Sequence, residues 1–458
     1  MEQKIADNIC KCPYCFKPFS TEAVQFKAMT VYTQQDLEEF TEEEMEGKQA
    51  YLESDDERYR SFWNNYPGSD PGFQYEGFPT LLSKKIDAGR EFSYPVARTC
   101  DRDPEGFLYQ AVDDEGRTTK VRICPHCHNP LPFEYGKYPV KYIAVVGITS
   151  SGKTIYLAQL LAKIKEVLAR ADLTVIGTHE EVDAFVRNNR IRKGVPLPGG
   201  NATNLLTLPM PLNVIHNRDN KKYTLVFYDI AGENCVKPEL MSKYGPFIEN
   251  ASGILMIVDP VQFSELFDIP EEYLEENRNE TNPDEDPPRP EEVLEAMYNA
   301  FGAVSSVNGK CKTPLAAALS KSDILKDCLD HNLNMFQEIN YEAYESFGFP
   351  YEEYRNIDTE IKVLLKDKKK RTMQGTLFAN QLTQCFPNHG YFAFTTLNVK
   401  AVKKKQGEVT YSVLEEDPET RRIEEPVFWL LNQMDVIDKA KKKQQENGGK
   451  RGLFGFGR

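Results

Sequence analysis

One octapeptide constrains this chain more than any other stretch: Gly147-Ile-Thr-Ser-Ser-Gly152-Lys153-Thr154, directly after the apolar run Tyr142-Ile-Ala-Val-Val. Its spacing, GxxxxGK followed by Ser or Thr, is that of a phosphate-binding loop. Glycines at both ends let the backbone wrap, so that N–H groups around Ser150 and Ser151 point inward at phosphate oxygens. The helix that follows adds the positive end of its dipole. Lys153 is then placed to reach the β- and γ-phosphates, and Thr154 to hold Mg2+. Beyond the loop, Ile155, Leu157, Leu160, Leu161, Ile164 and Leu168 recur at helical spacing, which supplies the required strand–loop–helix setting.

A sheet is needed to receive that strand. Short apolar runs at Tyr142–Gly147, Leu212–Ile215, Tyr223–Asp229, Ile254–Asp259, Leu315–Leu319 and Tyr391–Thr395 read as six strands, most of them apolar on both faces. With helical stretches between them, the expected fold is α/β: a mostly parallel six-stranded sheet with helices on both faces. Val427, Leu430, Leu431, Met434 and Ile437 behind Pro426 predict a closing helix. Composition divides the chain into residues 1–137, 138–445 and a Gly-rich basic tail, 446–458. Two stretches look inserted: acidic, Pro-rich Glu271–Pro290, expected as an exposed loop, and Tyr341–Thr376, whose basic run Lys366–Arg371 is expected as a solvated helix face.

Two further motifs lie in the middle region. Leu-Val-Phe-Tyr-Asp229-Ile-Ala-Gly232-Glu233 places an acid at the end of an apolar strand, about 75 residues after the loop, where it can hold Mg2+ through water. The N–H of Gly232 is available to a γ-phosphate. Leu-Ala-Ala-Ala-Leu-Ser320-Lys321-Ser322-Asp323 ends the fifth strand. In order and spacing these motifs resemble the Ras-like GTPases, whose DxxG follows the third strand and whose NKxD or TKxD reads the base. Ser320 stands where Asn or Thr is usual. The resemblance implies that Asp323 accepts two hydrogen bonds from guanine, which adenine cannot supply, and that Lys321 lays its stem over the base. It also implies a switch threonine before the second strand, for which Thr203 and Thr207 are both candidates. The base-contacting loop after the sixth strand, Thr395-Thr396-Leu397, matches poorly. Glu233 replaces the Gln that commonly orients the attacking water. Its charge beside the γ-phosphate implies slow intrinsic hydrolysis that needs a protein partner, an added K+ or a homodimer contact.

The cysteines are uneven. Cys12-Pro-Tyr-Cys15 and Cys124-Pro-His-Cys127 are two CPxC turns, which together offer the four thiolates of a closed Zn2+ site. Roughly 110 residues separate them, so a subdomain must be inserted between the knuckles. The alternative is that one pair works with Cys10, Cys100, His126 or His128. Between Asp36 and Glu57 lie eleven acids and one lysine, a solvated helix or loop. A net charge of -14 argues against a nucleic-acid-wrapping protein. With no signal-like N-terminus and no apolar stretch of bilayer length, the chain reads as cytoplasmic and without an integral membrane segment.

Taken together, the zinc-ribbon module, GITSSGKT, DIAGE and SKSD resemble bacterial zinc-ribbon-bearing GTPases of the translation-factor-related (TRAFAC) class, and most of all the double-GTPase-like proteins of multi-gene defence or stress systems. The resemblance implies a slow Mg2+-dependent GTPase acting as a regulatory switch, its GTP and GDP forms read by a protein effector. An ATP-hydrolysing enzyme with Asp323 as a helix cap, or a nucleotide-binding scaffold with little catalysis, are the alternatives.

Overall fold

Strand residues of the middle region alternate between two apolar layers, and that alternation sets the architecture. The computed structural model describes residues 9–30, 32, 34–48, 56–69, 80–82, 97–113, 115–199, 205–277, 288–307, 310–370, 372–406 and 409–443. Seven strands form the main sheet: β1 (Val140–Val146), β2 (Leu173–Thr178), β3 (Met210–His216), β4 (Lys222–Asp229), β5 (Gly253–Val258), β6 (Leu315–Leu319) and β7 (His389–Ala393). Their spatial order is β2-β3-β4-β1-β5-β6-β7. From β4 to β7 every pairing is parallel, while β2 and β3 pair antiparallel to their neighbours.

The six expected strands are present, and β2 is a seventh that the sequence pattern does not announce. It lies at the antiparallel edge, only Leu173 of its residues is buried, and Gly177 follows a register shift. An edge strand with so little apolar alternation carries almost no period-two signal.

Helices α1 (Lys153–Ala162), α2 (Ile164–Arg170), α3 (Pro238–Tyr244), α4 (Pro290–Ser305), α5 (Ser322–Cys328), α6 (Tyr351–Leu365), α7 (Gln374–Cys385) and α8 (Glu425–Gln433) surround the sheet. Ile143, Val145, Leu225, Phe227, Leu255 and Ile257 face α1, α2 and α8 in one core. The alternate residues, Tyr142, Ala144, Val146, Val226, Tyr228 and Met256, face the other way. There they join Met241 of α3, Leu294 of α4, Phe378 of α7 and a large part of the cysteine module. Glu271–Asn277 is helical where a loop was expected, and residues 278–287 lie outside the described residues. The tail, 446–458, also lies outside them.

The cysteine module sits on the sheet through tyrosine hydroxyls. Tyr135 and Tyr142 both donate to the carbonyl of Lys11, at 2.8 and 3.0 Å. Tyr228 donates to the carbonyl of Pro13 at 2.8 Å and stacks on Phe247 at 4.5 Å between centroids. Buried hydroxyls satisfied in this way contribute roughly 0.5–1.5 kcal/mol each. The first knuckle is thus fastened to β1 and β4, the two strands that lead into the candidate site.

Candidate functional site

The loop after β1 is shaped by one glycine above all. Gly147 has φ +150, and a Cβ there would lie 2.4 Å from the carbonyl oxygen of Ile257 on β5. Only glycine fits that approach. Ser150 also takes a positive φ, of 65. The Ser151 hydroxyl donates to Ile148 O at 2.8 Å, and Lys153 Nζ donates to the carbonyls of Gly147 and Ile148, both at 2.8 Å. The ammonium of Lys153 is therefore held inside the curve of the loop, where a phosphate would meet it. Gly152 caps α1, with no side chain between the helix N-terminus and that space.

Asp229 ends β4 in register with Val145 of β1. Its Oδ2 accepts from the Thr154 hydroxyl at 2.8 Å, and both residues are buried. Thr154 and Asp229, far apart in sequence, form one pair with the oxygen chemistry of a Mg2+ site. Gly232 presses against the loop itself: a Cβ there would lie 2.2 Å from Thr149 N. Cys235, at the end of the same short turn, is buried against Gly147, and burial pushes its thiol pKa up against the opposing pull of Lys153. Glu233 is exposed. Thr207 donates to the carbonyl of Asp229 at 3.0 Å. Thr203 lies outside the described residues.

At the other end of the cleft, Lys321 adopts a left-handed conformation and caps α5. Its Nζ pairs with Asp259 Oδ2 at 2.5 Å. Asp323 is partly buried and is fixed by Thr395, whose hydroxyl donates to Asp323 Oδ1 at 2.8 Å and accepts from the Asp323 N–H at 3.0 Å. Asp259 lies beside Lys321 without having been singled out by motif spacing, and Thr395 belongs to the loop whose match to the family pattern was poor. Asp259 had the same strand-end signal as Asp229, whereas Thr395 had only its position after the last strand. A cavity of about 570 Å³ opens beside Asp323, lined also by Lys163, Lys326, Thr395, Arg421 and Arg422. Arg422 pairs with Glu425, whose carboxyl is pushed up to about 7, chiefly by burial.

The four knuckle cysteines converge. Cys12 and Cys127 sulfurs are 3.7 Å apart, Cys15 and Cys124 sulfurs 3.8 Å, and all four lie within 4.8 Å of one another. A tetrahedral zinc with bonds of about 2.3 Å sets its sulfurs about 3.8 Å apart, so the cluster fits that ion. Cys10, Cys100, His126 and His128 are not members of it. N–H groups of Tyr14 and His126 approach Cys12 and Cys124 sulfurs at 3.4 and 3.3 Å. The Asn129 amide reaches Cys127 at 3.3 Å and accepts from Trp63 Nε1 at 2.9 Å. His128 meets Asp56 at 2.8 Å, and Asp56 caps the helix Glu57–Asn64. The helix Glu57–Asn64 of the inserted segment is thereby fixed to the second knuckle.

Comparison with known proteins follows the same lines. Residues 144–332 match the model of the Double-GTPase 1 family. A putative ESX-1 scaffolding and assembly protein, SaeC, of Mycolicibacterium smegmatis is 24% identical over 226 residues, 46% of this chain and 53% of that protein. The chain therefore spans about half the length of that relative. Translation elongation factor SelB of Methanococcus maripaludis, solved with the GTP analogue GppNHp, aligns over 57% of this chain and 30% of its own at 12% identity. Its TM-score of 0.20 is too low to bear on this chain. Among the described residues no helix is long and apolar enough to cross a membrane. Together, the phosphate loop, the acid facing it and the match to the Double-GTPase 1 model identify the segment 144–332 as a P-loop GTPase domain.

Proposed function

We propose that the chain binds GTP and GDP with Mg2+ and hydrolyses GTP slowly, as a switch whose two nucleotide forms are read by a protein partner. The observation that carries the reading is the pairing of Thr154 with Asp229 at 2.8 Å beside Lys153, which joins the phosphate loop to the end of β4. In this reading Gly147, Ser150, Ser151, Gly152 and Lys153 hold the phosphates, while Thr154 and Asp229 hold Mg2+. Gly232 reports on the γ-phosphate, and Lys321 and Asp323 select guanine. The Thr395 hydroxyl on one carboxylate oxygen orients Asp323, leaving its other edge to the base. Zn2+ at Cys12, Cys15, Cys124 and Cys127 is structural, with no open position for chemistry.

Exposed Glu233 supplies no neutral amide to align water, so turnover waits on a partner, K+ or a second copy of the chain. The relative's role in scaffolding and assembly favours a protein partner. A bacterial defence or stress setting rests on the family resemblance alone, and a cytoplasmic location belongs to the same reading. The test is binding of GTP, GDP and ATP with Mg2+ to the wild type and to Asp323→Asn. Guanine preference in the wild type, lost in the variant by about 100-fold or more, is expected. Equal binding of ATP and GTP, unchanged by the substitution, overturns it.

A further inference from the structure

Each of the three segments that flank the nucleotide site touches the cysteine module. Tyr228, the neighbour of Asp229, donates to Pro13 O at 2.8 Å. Tyr244, at the end of α3 and downstream of Gly232, packs on Tyr66 with ring centroids 6.0 Å apart. Leu206, the neighbour of Thr207, donates its N–H to Ser69 Oγ at 2.7 Å, and both residues are buried. A Cβ placed on Gly68 would lie 3.4 Å from Leu205 Cδ2, so the Leu205 side chain lies beside this turn.

Tyr66 and Ser69 end the stretch that begins with Asp56 and the helix Glu57–Asn64. The start of that stretch is held by the metal knuckle, through Asp56 on His128 and through Trp63, Asn129 and Cys127. One short segment thus spans from a structural centre to the backbone beside a candidate switch threonine.

A buried N–H stays where its acceptor is, because leaving without a new partner costs the full desolvation of the amide. In the conformation that Ser69 secures, the Thr207 hydroxyl is committed to the carbonyl of Asp229. Drawing Thr207 from this position onto Mg2+ beside Thr154 would carry its neighbour Leu206 away from Ser69.

We propose that residues 56–69 are a built-in latch: the Ser69 hydroxyl holds Leu206 in the conformation that keeps Thr207 from the nucleotide's Mg2+, and the four-cysteine centre anchors the latch. The inference rests on the GTP-switch reading above. It makes the triphosphate form and the latched segment compete, so that the triphosphate state is reached by releasing Ser69. A partner that captures or displaces residues 56–69 would set the switch without touching the nucleotide.

The experiment compares zinc-loaded full-length wild type, Ser69→Ala, Ser69→Thr and Tyr66→Ala, with zinc content checked for each. Affinities for GDP and GppNHp are measured with Mg2+, and hydrogen exchange is followed over residues 205–209. In Ser69→Ala the preference for GppNHp over GDP is expected to rise by about fivefold or more. The Leu206 amide loses protection, Tyr66→Ala shifts the preference the same way, and Ser69→Thr restores both readouts. A merely structural loss would weaken both nucleotides alike and leave the ratio unmoved. If wild type binds both nucleotides and the ratio in Ser69→Ala stays within about twofold of it, the latch is wrong and the GTP reading stands. If wild type binds neither nucleotide, the GTP reading fails and takes the latch with it.

Discussion

Adding one methyl group at Gly232 probes how tightly the phosphate loop and the turn after β4 are fitted. In Gly232→Ala the new Cβ lies 2.2 Å from Thr149 N and 2.6 Å from Ile148 C and Thr149 Cα, where ordinary contact begins at 3.4 Å. The shortfalls are 3.4 − 2.2 = 1.2 Å and 3.4 − 2.6 = 0.8 Å, all against main-chain atoms that no rotamer change can move. The two segments must therefore separate by about 1 Å, an overpacking strain of about 1–3 kcal/mol. A displacement of that size at the phosphate and metal ligands costs about 100-fold in rate. Urea unfolding reads the first effect, and single-turnover GTP hydrolysis with Mg2+ reads the second. Gly177→Ala is the matched control, since a Cβ there meets nothing within 4 Å. A Gly232→Ala protein with wild-type stability and wild-type turnover would refute the argument that this approach defines the site.

Two other outcomes are expected. Purified protein carries one zinc per chain by elemental analysis, and Cys124→Ser lowers it to none; the substitution reduces stability by more than about 5 kcal/mol and removes hydrogen-exchange protection from the helix Glu57–Asn64. Glu425, raised to about 7 by burial with Arg422 opposing and Glu424 reinforcing, holds a proton in the folded state that it loses when unfolded. That contribution is complete below the ordinary carboxyl range and disappears as pH rises through about 7, so wild type loses about 2–3 kcal/mol between about pH 5 and about pH 8. Urea melts across that range should show the slope removed in Glu425→Gln, whatever its absolute stability; an unchanged slope would assign the titration to another group.

What was legible in the sequence was local. The phosphate loop needs contiguous residues in a fixed order, and the apolar run before it and the periodic run after it leave few other foldings. Asp229 could be placed because it ends a short buried strand, and Asp323 because it opens the helix that follows another. The two CPxC turns were legible as ligand pairs, and their convergence followed from the coordination number of zinc. The rest depends on contacts between distant residues with no periodic trace. Edge strand β2 has too few buried positions to show alternation. The hydrogen bond of Ser69 to Leu206 joins two residues 137 positions apart, each ordinary in its own neighbourhood. Thr395 stood in a loop whose match to the family pattern was poor, and only its approach to Asp323 gives it a role.

The tyrosine fastening of the first knuckle also bears on how the chain comes to be made. Cys15 is synthesised 109 positions before Cys124, and Pro13 is synthesised 215 positions before the Tyr228 that will hold it. At about 5–20 residues per second, the leading thiols wait roughly 10–40 seconds for their sheet. Ion capture can be completed when Cys127 emerges, well before β4 exists. With zinc at the four cysteines, as proposed above, the N-terminal piece would mature first as a metal-closed unit and become the surface against which the nucleotide domain later condenses. Cells short of zinc would then stall this protein at birth, with its first knuckle open, rather than erode it once finished.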